Sequence, residues 1–512
     1  MIEKRNPRDG SLLYTLEIPA EQDIAETYNR AHAAAGTLRK SSVESRAAAM
    51  ADVQHYIAQH RKDIMDRIVE ETGKCRGEAL TSEIFVTLDC IDYFRKQAPA
   101  MLRDEKVSSP LFMFGKKSRI YYEPFGVVLV ISPWNYPFFL GIVPIISAFL
   151  AGNAVVYKPS EITPLRGVFE DVFGCNPLTE NAIQIVYGAR ETGQALIEAR
   201  PDKIFFTGSV RGGKAVMRQA AEQLIPVELE LGGKDPMIVF DDVDIDKAVE
   251  GALWGALTNA GQTCTSVERL YVQESIYDAF LARLQARFGD IRTPDDTLGE
   301  HDIDLGSLTA PFQANTIQEH LADAIARGAS VLTGGAYDTA SMVFQPTLLS
   351  GVTSDMKIMT EETFGPVLPI SRFSTEEEVI ALANATDFGL AASVWSRDLM
   401  RAERVARALT TGNVSINNVM TTLATARLPF GGIKNSGYGR YKGPGGLHTF
   451  CNVKSVVIEP MTKKREAHWY PHDRKKFELF ERLMLDLYGG SASIFRALIT
   501  GLKLERYSNR KL

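Results

Sequence analysis

The alternation of strand and helix patterns between residues 126 and 230 constrains the fold more than any other feature of this sequence. The predicted strands are 127–131, 154–157, 183–186, 203–206 and 226–230, and the predicted helices between them are 138–150, 164–173, 192–198 and 212–223. This spacing indicates βαβ units, and therefore a parallel sheet with helices on both faces. Ligands of such sheets bind beyond the carboxyl ends of the strands. Polar residues that follow these strands are therefore candidate site residues.

The same region contains the most apolar run of the chain, residues 126–157, which is long enough to suggest a membrane span. Pro133, Pro137 and Pro144 interrupt it, and Gly152 and Asn153 follow. A helix broken at these points would leave polar backbone groups without partners in lipid. We therefore interpret the run as a buried strand, a turn, a buried helix and a second strand.

The rest of the chain divides around this sheet. Amphipathic helices are predicted at 24–38, 42–59, 61–72 and 74–97, followed by a loop at 108–117 and an edge strand at 118–123. After the break at Leu231-Gly-Gly-Lys-Asp-Pro236, a second α/β block with strands at 237–240, 268–272, 330–332 and 412–416 continues to about residue 428. These boundaries predict two α/β domains.

Composition narrows the class of protein. The 512 residues are 45% hydrophobic and 23% charged, which is typical of a globular chain. Five scattered cysteines without a Cys-x-x-Cys pair suggest neither a disulfide framework nor a metal site, and the first residues lack the apolar core of a signal peptide. We therefore expect no metal and a cytoplasmic protein. The net charge of −6 offers no field for nucleic acid.

Three residues have the chemistry of a covalent catalyst. Cys264 lies in Gly261-Gln-Thr-Cys-Thr-Ser266, a small polar bend in which a thiolate could be stabilised, although a lone cysteine is more often a buried apolar residue. Glu230 ends a predicted strand, where burial would raise its pKa and suit it to general-base work; the alternative is an ion-paired carboxylate. Asn135 follows a buried strand and could donate its amide to an oxyanion, or cap its own turn.

Other residues suggest a nucleotide site. Gly208-Ser-Val-Arg-Gly-Gly213-Lys214 begins like a P-loop, but Ala215 stands where a hydroxyl would hold Mg²⁺, which argues against an NTPase. A glycine turn that could bind a pyrophosphate remains, against the alternative of a plain tight turn. Lys158 and Glu161 follow a strand, where they could hold a ribose or form an ordinary surface pair.

These motifs together resemble the NAD(P)-dependent aldehyde dehydrogenases, in that family's order, over about residues 6–460. The motifs are Pro133-Trp-Asn135, Lys158-Pro-Ser-Glu161, Phe206-Thr-Gly-Ser209, Glu230-Leu-Gly-Gly-Lys234, Gly261-Gln-x-Cys264, Glu361-Glu-x-Phe-Gly-Pro366 and Pro429-Phe-Gly-Gly-Ile-Lys-Asn-Ser-Gly437. The presence of Glu230 argues for the hydrolytic branch rather than the CoA-acylating one.

The resemblance implies a mechanism and a cofactor. Cys264 would attack the aldehyde, Asn135 and the Cys264 N–H would hold the oxyanion, and Glu230 would activate water against the thioester. The implied cofactor is NAD, with NADP possible. The residues implied to bind it are Trp134, Lys158, Glu161, Gly208, Ser209, Gly213, Glu362 and Phe364.

The resemblance also implies an architecture. A Rossmann-type cofactor domain would comprise residues 1–107 and 124–230, a catalytic α/β domain 231–428, and a small β oligomerisation arm 108–123 and 445–460. A homodimer or homotetramer is expected. A non-catalytic use of the fold, and an NADP-dependent semialdehyde oxidation, are the alternatives.

The substrate prediction depends on the stretch after Asn135. Residues 136–143 carry no charge, whereas semialdehyde enzymes of the family place a basic residue there. We therefore expect an apolar aldehyde, aliphatic or aromatic and of long chain.

A basic amphipathic extension occupies residues 461–512. Residues 462–512 contain 12 Lys+Arg and 6 Asp+Glu, a net charge of +6, which leaves −12 on the rest of the chain. Two helices are predicted, with apolar faces around Phe477 to Tyr488 and Ile494 to Leu502. They could lie on an anionic membrane, or pack against a partner subunit or across the substrate entrance, the arrangement that the sequence favours.

Overall fold

The computed structural model describes residues 1–110, 113, 115–294, 298–461, 465–490 and 492–510. Parts of the predicted 108–117 loop and of the 461–512 extension lie outside these residues. The chain forms two compact units, one of Met1–Leu102 and Glu123–Asn452, the other of Arg103–Tyr122 and Val453–Leu512.

The strands, numbered in chain order, are β1 Ile2–Arg5, β2 Leu12–Leu16, β3 Glu105–Val107, β4 Lys117–Pro124, β5 Val127–Ile131, β6 Ala154–Lys158, β7 Ile183–Ile185, β8 Lys203–Thr207, β9 Val227–Glu230, β10 Asp235–Val239, β11 Val267–Gln273, β12 Ser330–Thr333, β13 Tyr337–Asp338, β14 Val343–Phe344, β15 Thr347–Ser350, β16 Val367–Phe373, β17 Ala391–Trp395, β18 Asn413–Ile416, β19 Pro429–Phe430, β20 Gly437–Tyr438, β21 Tyr441–Lys442 and β22 Cys451–Ile458.

The helices are α1 Glu21–Leu38, α2 Val43–Gln59, α3 Arg61–Thr72, α4 Arg76–Glu78, α5 Val86–Met101, α6 Phe139–Leu150, α7 Val168–Gly174, α8 Pro177–Ala182, α9 Arg190–Glu198, α10 Val210–Glu222, α11 Ile245–Leu257, α12 Tyr277–Gly289, α13 Pro311–Ala326, α14 Lys357–Thr360, α15 Glu376–Asn384, α16 Leu399–Ala408, α17 Thr421–Ala424, α18 Arg474–Tyr488 and α19 Ile494–Arg510. A π-helical segment, Ala79–Phe85, joins α4 to α5.

The first unit contains the predicted parallel sheet. Its order is β20-β9-β8-β5-β6-β7, and every pairing is parallel except that of the short edge strand β20. Strands β5 and β6 and helix α6 are buried throughout, as their apolar sequence predicts. Because β5, β6, β8 and β9 run the same way, the residues that follow them meet at one edge of the sheet.

A second sheet in the same unit has the order β12-β15-β16-β11-β10-β17-β18 and is parallel except at β12. Its core includes Phe240, Tyr271 and Trp395. The strands β15, β16 and β17 were not predicted from the sequence, although β16 is as long as the predicted β11 and β17 as long as the predicted β5. The parallel α/β fold itself is confirmed.

Two predicted helices differ from the structure for local reasons. The helix predicted at 164–173 begins only at Val168, because Leu165 and Gly167 have left-handed φ angles of 49° and 85°. The helix predicted at 74–97 is an α–π–α run, since its middle turn widens at Ala79–Phe85. Glu83, in the widened turn, accepts hydrogen bonds from the Phe138 and Phe139 N–H groups.

The second unit combines a three-stranded sheet, in the order β22-β4-β3, with helices α18 and α19. The two predicted helices of the extension are therefore present. Among the described residues, no helix is long and apolar enough to cross a membrane.

Candidate active site

The predicted catalytic residues line one cavity of about 270 Å³ in the first unit. It lies where the ends of β8 and β9, the turn after β5 and the loop before β11 meet. Its described lining is Pro133, Trp134, Asn135, Leu140, Thr207, Gly208, Ser209, Glu230, Leu231, Gly232, Cys264, Phe312, Gln313, Thr316, Glu362 and Phe364. Eight of the eleven residues predicted from sequence are therefore together, and Lys158, Glu161 and Gly213 lie outside this lining.

The Cys264 loop has an unusual backbone. Asn259, Ala260 and Gly261 have consecutive left-handed φ angles of 54°, 53° and 70°. A Cβ at position 261 would stand 2.1 Å from the carbonyl oxygen of Gly365, so only glycine fits there. A non-glycine residue with left-handed φ is strained unless its surroundings hold it.

The carboxylate of Glu78, at the end of α4, holds the backbone of the Cys264 loop in place. Its Oε1 accepts hydrogen bonds from the Asn259 N–H at 2.6 Å and from the Thr258 hydroxyl at 3.0 Å. Burial raises the pKa of Glu78. No pattern in the sequence indicates this contact, which spans 181 positions.

Asn135 is buried, and both its side-chain amide and its main-chain oxygen are hydrogen-bonded. Its Nδ2 donates to the Gln262 carbonyl at 2.9 Å, which connects the turn after β5 to the Cys264 loop. Its main-chain oxygen accepts from Lys74 Nζ at 2.8 Å and from Asn259 Nδ2 at 3.0 Å. The side-chain amide therefore lies in a fixed position and has a second N–H available for a substrate oxygen.

A buried ion pair lies beneath this turn and was also missed from sequence. Lys74 Nζ is 2.6 Å from Glu83 Oε1, and both side chains are at most 1% exposed. The other oxygen of Glu83 accepts from the Phe138 and Phe139 N–H groups, at the start of α6. A carboxylate at a helix N-terminus is favoured by the free N–H groups and the helix dipole. This pair fixes both the Asn135 turn and α6.

Glu230 ends β9, paired with Gly437 of β20. It is 4% exposed, and neither carboxylate oxygen has a hydrogen-bond partner among the residues that the structure describes. Burial first, and then the neighbouring Glu228, raise its pKa well above the ordinary value, while Arg440 and Lys442 oppose the shift. The direction agrees with the sequence prediction.

The environment of Cys264 differs from the sequence prediction. The half-buried thiol lies near Glu362, Asp235 and Glu230, and burial followed by these carboxylates raises its pKa. Polar groups of the bend are bonded to residues outside it; the Thr263 hydroxyl, for example, is bonded to Tyr136 at 2.8 Å. The raised pKa runs against the sequence expectation of a setting that stabilises the thiolate.

Lys442 contributes a buried charge to the same region. It is 1% exposed, and its Nζ lies 4.8 Å, 5.3 Å and 5.2 Å from the ring centres of Phe139, Phe430 and Tyr441. It donates to the Leu423 carbonyl at 2.8 Å. Burial lowers its pKa, and the charges of Cys90, Glu230 and Cys264 raise it. The aromatic faces make a buried ammonium tolerable.

The polar strand ends bear on the cofactor prediction. Lys158 ends β6, and its Nζ is 3.5 Å from Glu161 Oε2. Ser209 caps the N-terminus of α10 through a hydrogen bond from Gly212 N–H at 3.1 Å. Gly213 lies inside that helix, where a Cβ would stand 2.6 Å from Leu231. Its structural contribution is close packing rather than a free N–H.

Glu362 and Phe364 face the cavity from a loop before β16. Glu362 accepts from the Gly233 N–H at 3.0 Å, and burial and Glu268 raise its pKa to about 8. The Phe364 ring meets the edge of Trp134 at 5.4 Å. Glu268, which sequence reasoning missed, holds the loop by accepting from the Thr363 and Phe364 N–H groups.

These groups fit a nicotinamide dinucleotide. The N-terminus of α10, which Ser209 caps, suits a pyrophosphate, a carboxylate such as Glu362 suits ribose hydroxyls, and the ring of Phe364 offers a flat surface. The fit rests on the turn Gly208-Ser209 and the carboxylate of Glu362, both of which line the cavity.

Comparison with known proteins defines the class. Residues 1–456 match the Aldehyde dehydrogenase family, so the chain belongs to this family and is an oxidoreductase acting on aldehydes. Members use NAD or NADP.

Individual relatives are similar over nearly the whole chain. The 4,4'-diapolycopene aldehyde oxidase of Methylomonas sp is 41% identical over 493 residues, which cover 96% of this chain and 92% of that protein. The 4,4'-diaponeurosporen-aldehyde dehydrogenase of Staphylococcus aureus is 35% identical, covering 82% and 90%. The structure of the aldehyde dehydrogenase PutA from Anabaena variabilis superimposes with a TM-score of 0.87 at 34% identity, covering 92% of this chain and 100% of that one.

Proposed function

We propose that this enzyme oxidises a long apolar aldehyde, of the diapolycopene or diaponeurosporene kind, to the carboxylic acid with NAD⁺. The observation that carries the proposal is the cavity around Cys264. Among its described lining residues there is no Lys, Arg or His, and Leu140 of α6 projects into it. A substrate with a distal carboxylate would find no cation there, so a semialdehyde is disfavoured. The names of the two relatives state apolar aldehydes.

In this proposal Cys264 Sγ forms the bond to the aldehyde carbon and gives a thiohemiacetal. The oxygen that gains charge accepts from the Asn135 amide and the Cys264 N–H, held in place before the reaction. With NAD⁺ bound, the thiohemiacetal carbon would lose its hydride to the nicotinamide, and a thioester on Cys264 would remain. Because burial raises the pKa of Cys264, its thiol must first lose its proton to solvent before the sulfur attacks.

Glu230 then acts on the thioester. It takes a proton from a water molecule, whose oxygen forms the new bond to carbon, and the C–S bond breaks to release the acid and regenerate Cys264. Both oxygens of Glu230 are free of other partners, which leaves them available for a water molecule. Its raised pKa makes it a stronger base once ionised.

We further propose that Glu161 selects NAD⁺ over NADP⁺. Its carboxylate follows β6 beside Lys158 and would accept from ribose hydroxyls while repelling a 2'-phosphate. Replacing Glu161 with Gln should raise kcat/KM with NADP⁺ relative to NAD⁺ by about tenfold or more. Glu180, an exposed glutamate outside the cavity lining, gives the control Glu180→Gln. If the ratio of kcat/KM with NADP⁺ to that with NAD⁺ were unchanged in Glu161→Gln, residues other than Glu161 would select the cofactor.

The domain roles are proposed likewise: residues 1–107 and 124–230 bind the cofactor, 231–428 complete the catalytic site, and the arm 108–123 with 445–460 pairs subunits. In support of the arm, β3 and β22 are the edges of their sheet and expose Val107, Val453 and Val457. Unpaired edges with apolar side chains are suited to pairing with another chain.

Substrate class is tested with a series of aldehydes of increasing chain length in detergent or on vesicles, beside succinate semialdehyde. NADH formation gives kcat/KM for each. We expect it to rise with apolar length and to be lowest for the semialdehyde. A preference for the semialdehyde would overturn the substrate proposal, and no turnover of any aldehyde would favour a non-catalytic use of the fold.

The roles of Cys264 and Glu230 are separated by rapid mixing. Glu230→Gln should keep the first burst of NADH and slow steady turnover by roughly 10²- to 10⁴-fold, because thioester hydrolysis loses its base. Cys264→Ala should lose both phases. A Glu230→Gln enzyme without a burst would place Glu230 in the first step instead, as the base that deprotonates the thiol.

A further inference from the structure

The helices α18 and α19 bury mainly polar side chains and expose many apolar ones. Of their described side chains, six are buried, and four of these are polar: Lys476, Asp486, Thr500 and Ser508. Asp486 accepts from the Thr500 hydroxyl at 2.7 Å, and Lys476 Nζ donates to the Pro471 carbonyl at 3.1 Å. This is the reverse of the usual pattern, in which a helix pair buries its apolar stripe.

The outer surface of the pair is correspondingly apolar. Phe477 is 67% exposed, and Ile494 and Phe495 are each 73% exposed. The other large apolar residues exposed on these helices are Met484, Leu485, Tyr488, Leu498, Ile499 and Leu502. Met484, Tyr488, Leu498 and Leu502 line one groove, so these exposed side chains form an apolar patch, which marks an interaction site rather than ordinary solvated surface.

A groove of about 620 Å³ continues this surface between the helices. Its apolar lining includes Phe480, Leu483, Leu487 and Leu502. The exposed side chains and the groove together form the apolar face, which we define by α18, α19 and the residues just named.

The charge around the apolar face indicates what covers it. Residues 462–512 carry a net charge of +6, and Lys475, Lys503 and Arg506 are exposed on the two helices. Apolar side chains combined with exposed basic ones are typical of helices that lie in the interface of an anionic bilayer. A second copy of the face would instead bring two charges of +6 together, which costs free energy.

We propose that the apolar face docks on an anionic lipid surface, with α18 and α19 lying in the plane of the headgroups. The inference goes beyond the proposed function, because it concerns where the enzyme lies and not what it oxidises. Basic side chains near such a surface strengthen the binding through their attraction to anionic headgroups. The buried apolar side chains supply the remainder of the binding.

Sedimentation of the full chain with vesicles tests the proposal, without aldehyde or cofactor. Vesicles of phosphatidylcholine alone are compared with vesicles that contain about one third phosphatidylglycerol. We expect binding to the anionic vesicles that weakens as salt screens the charges. The double variant Phe477→Ser/Phe495→Ser should bind at least about tenfold more weakly, since apolar burial drives insertion.

Three further variants sharpen the test. Lys503→Gln/Arg506→Gln should also lose about tenfold, and Met484→Ser/Leu502→Ser serves as a second apolar variant. The matched control is Leu224→Ser/Met400→Ser, which removes side chains 90% and 80% exposed in the first unit and should bind like the unaltered protein. All variants should keep their turnover of a short water-soluble aldehyde.

Three outcomes would overturn the proposal. The unaltered protein could remain in the supernatant with anionic vesicles, or the Leu224→Ser/Met400→Ser control could weaken binding as much as the apolar variants. Velocity sedimentation without vesicles could also show that Phe477→Ser/Phe495→Ser dissociates a larger assembly. The apolar face would then be an interface between copies of the chain.

Discussion

At the scale of single residues, the site concentrates ionisable groups whose pKa values are all shifted toward the neutral form. Burial raises the pKa of Glu230, Glu362 and Cys264 and lowers that of Lys442. In a buried cavity of this kind the neutral forms of these four groups are favoured over their charged forms. Activity should therefore increase toward alkaline pH, since both the thiol and the carboxyl must ionise.

Lys442 should control this pH dependence. Its ammonium lowers the pKa of Glu230, together with Arg440 and against Glu228. In Lys442→Met the pKa of Glu230 should rise further, so the rise of kcat should move to higher pH. Lys442→Arg keeps the charge and should move it less. Equal displacement of the pH profile in both variants would mean that Lys442 acts through packing alone.

Glu362 should make the protein less stable as pH rises. Its folded pKa is about 8 against an ordinary 4.5, so between these values the folded state holds a proton that the unfolded state has lost. The free energy of unfolding should fall across this range, by at most about 1.4 kcal/mol per pH unit.

Thermal unfolding at several pH values tests this. Glu362→Gln should flatten the decline in Tm between about pH 5 and about pH 8. The neighbouring Glu361, whose side chain is 59% exposed, gives the control Glu361→Gln, which should leave the decline as it is. A Glu362→Gln protein with an unchanged decline would assign the effect to other groups.

At the scale of elements, the run from α4 through the π-helical segment to α5 supports the site from below. Lys74 precedes it, Glu83 lies within it, and the pair contacts both the Asn135 turn and the start of α6. Replacing Lys74 with Met leaves the buried charge of Glu83 without its partner, which typically costs about 3–5 kcal/mol.

We therefore expect Lys74→Met to lower Tm sharply and to lower kcat more than it changes KM, because Asn135 shifts relative to the reacting oxygen. The double variant Lys74→Met/Glu83→Gln removes both charges and should recover part of the Tm. The exposed pair Lys96–Asp92 supplies the control Lys96→Met, with a loss of about 1 kcal/mol or less. If Lys74→Met and Lys96→Met lowered Tm by similar amounts, burial of the Lys74–Glu83 pair would not be the cause of the loss.

The same elements explain how far sequence could predict the site. Cys264, Glu230 and Asn135 were identifiable because each stands in a short motif at a strand end or bend. Lys74, Glu78 and Glu268 were not, because an ordinary-looking charged residue becomes important only when a distant segment packs on it. Hydrogen bonds such as Glu78 to Asn259 connect parts of the chain that carry no common pattern. The parallel sheets were predictable from periodicity, while the individual strands β15, β16 and β17 were not.

At the scale of the whole molecule, the five cysteines occupy distinct environments. Cys175 is exposed, Cys264 is half-buried, and Cys75, Cys90 and Cys451 are buried. An alkylating reagent should therefore label Cys175 first, because access limits the reaction. Cys264 should follow more slowly, since its raised pKa leaves little thiolate.

Mass spectrometry of the labelled protein, followed against activity, checks this order. Inactivation should follow the labelling of Cys264, and Cys175→Ser should remove the fast label without loss of turnover. The three buried thiols should react only after denaturation. Early labelling of Cys451 would show that the region before β22 opens in solution.

The hydrogen bonds from the Cys264 loop to Glu78 also have a consequence for folding during synthesis. During synthesis Glu78 emerges 181 positions before Asn259, an interval of roughly 10–40 s at the usual pace of about 5–20 residues per second. Throughout that time its carboxylate has neither of its two partners, and burial without them would cost free energy. We therefore expect the Glu78 carboxylate to stay hydrated until Asn259 has been synthesised. The active site should then be among the last parts of the first unit to fold.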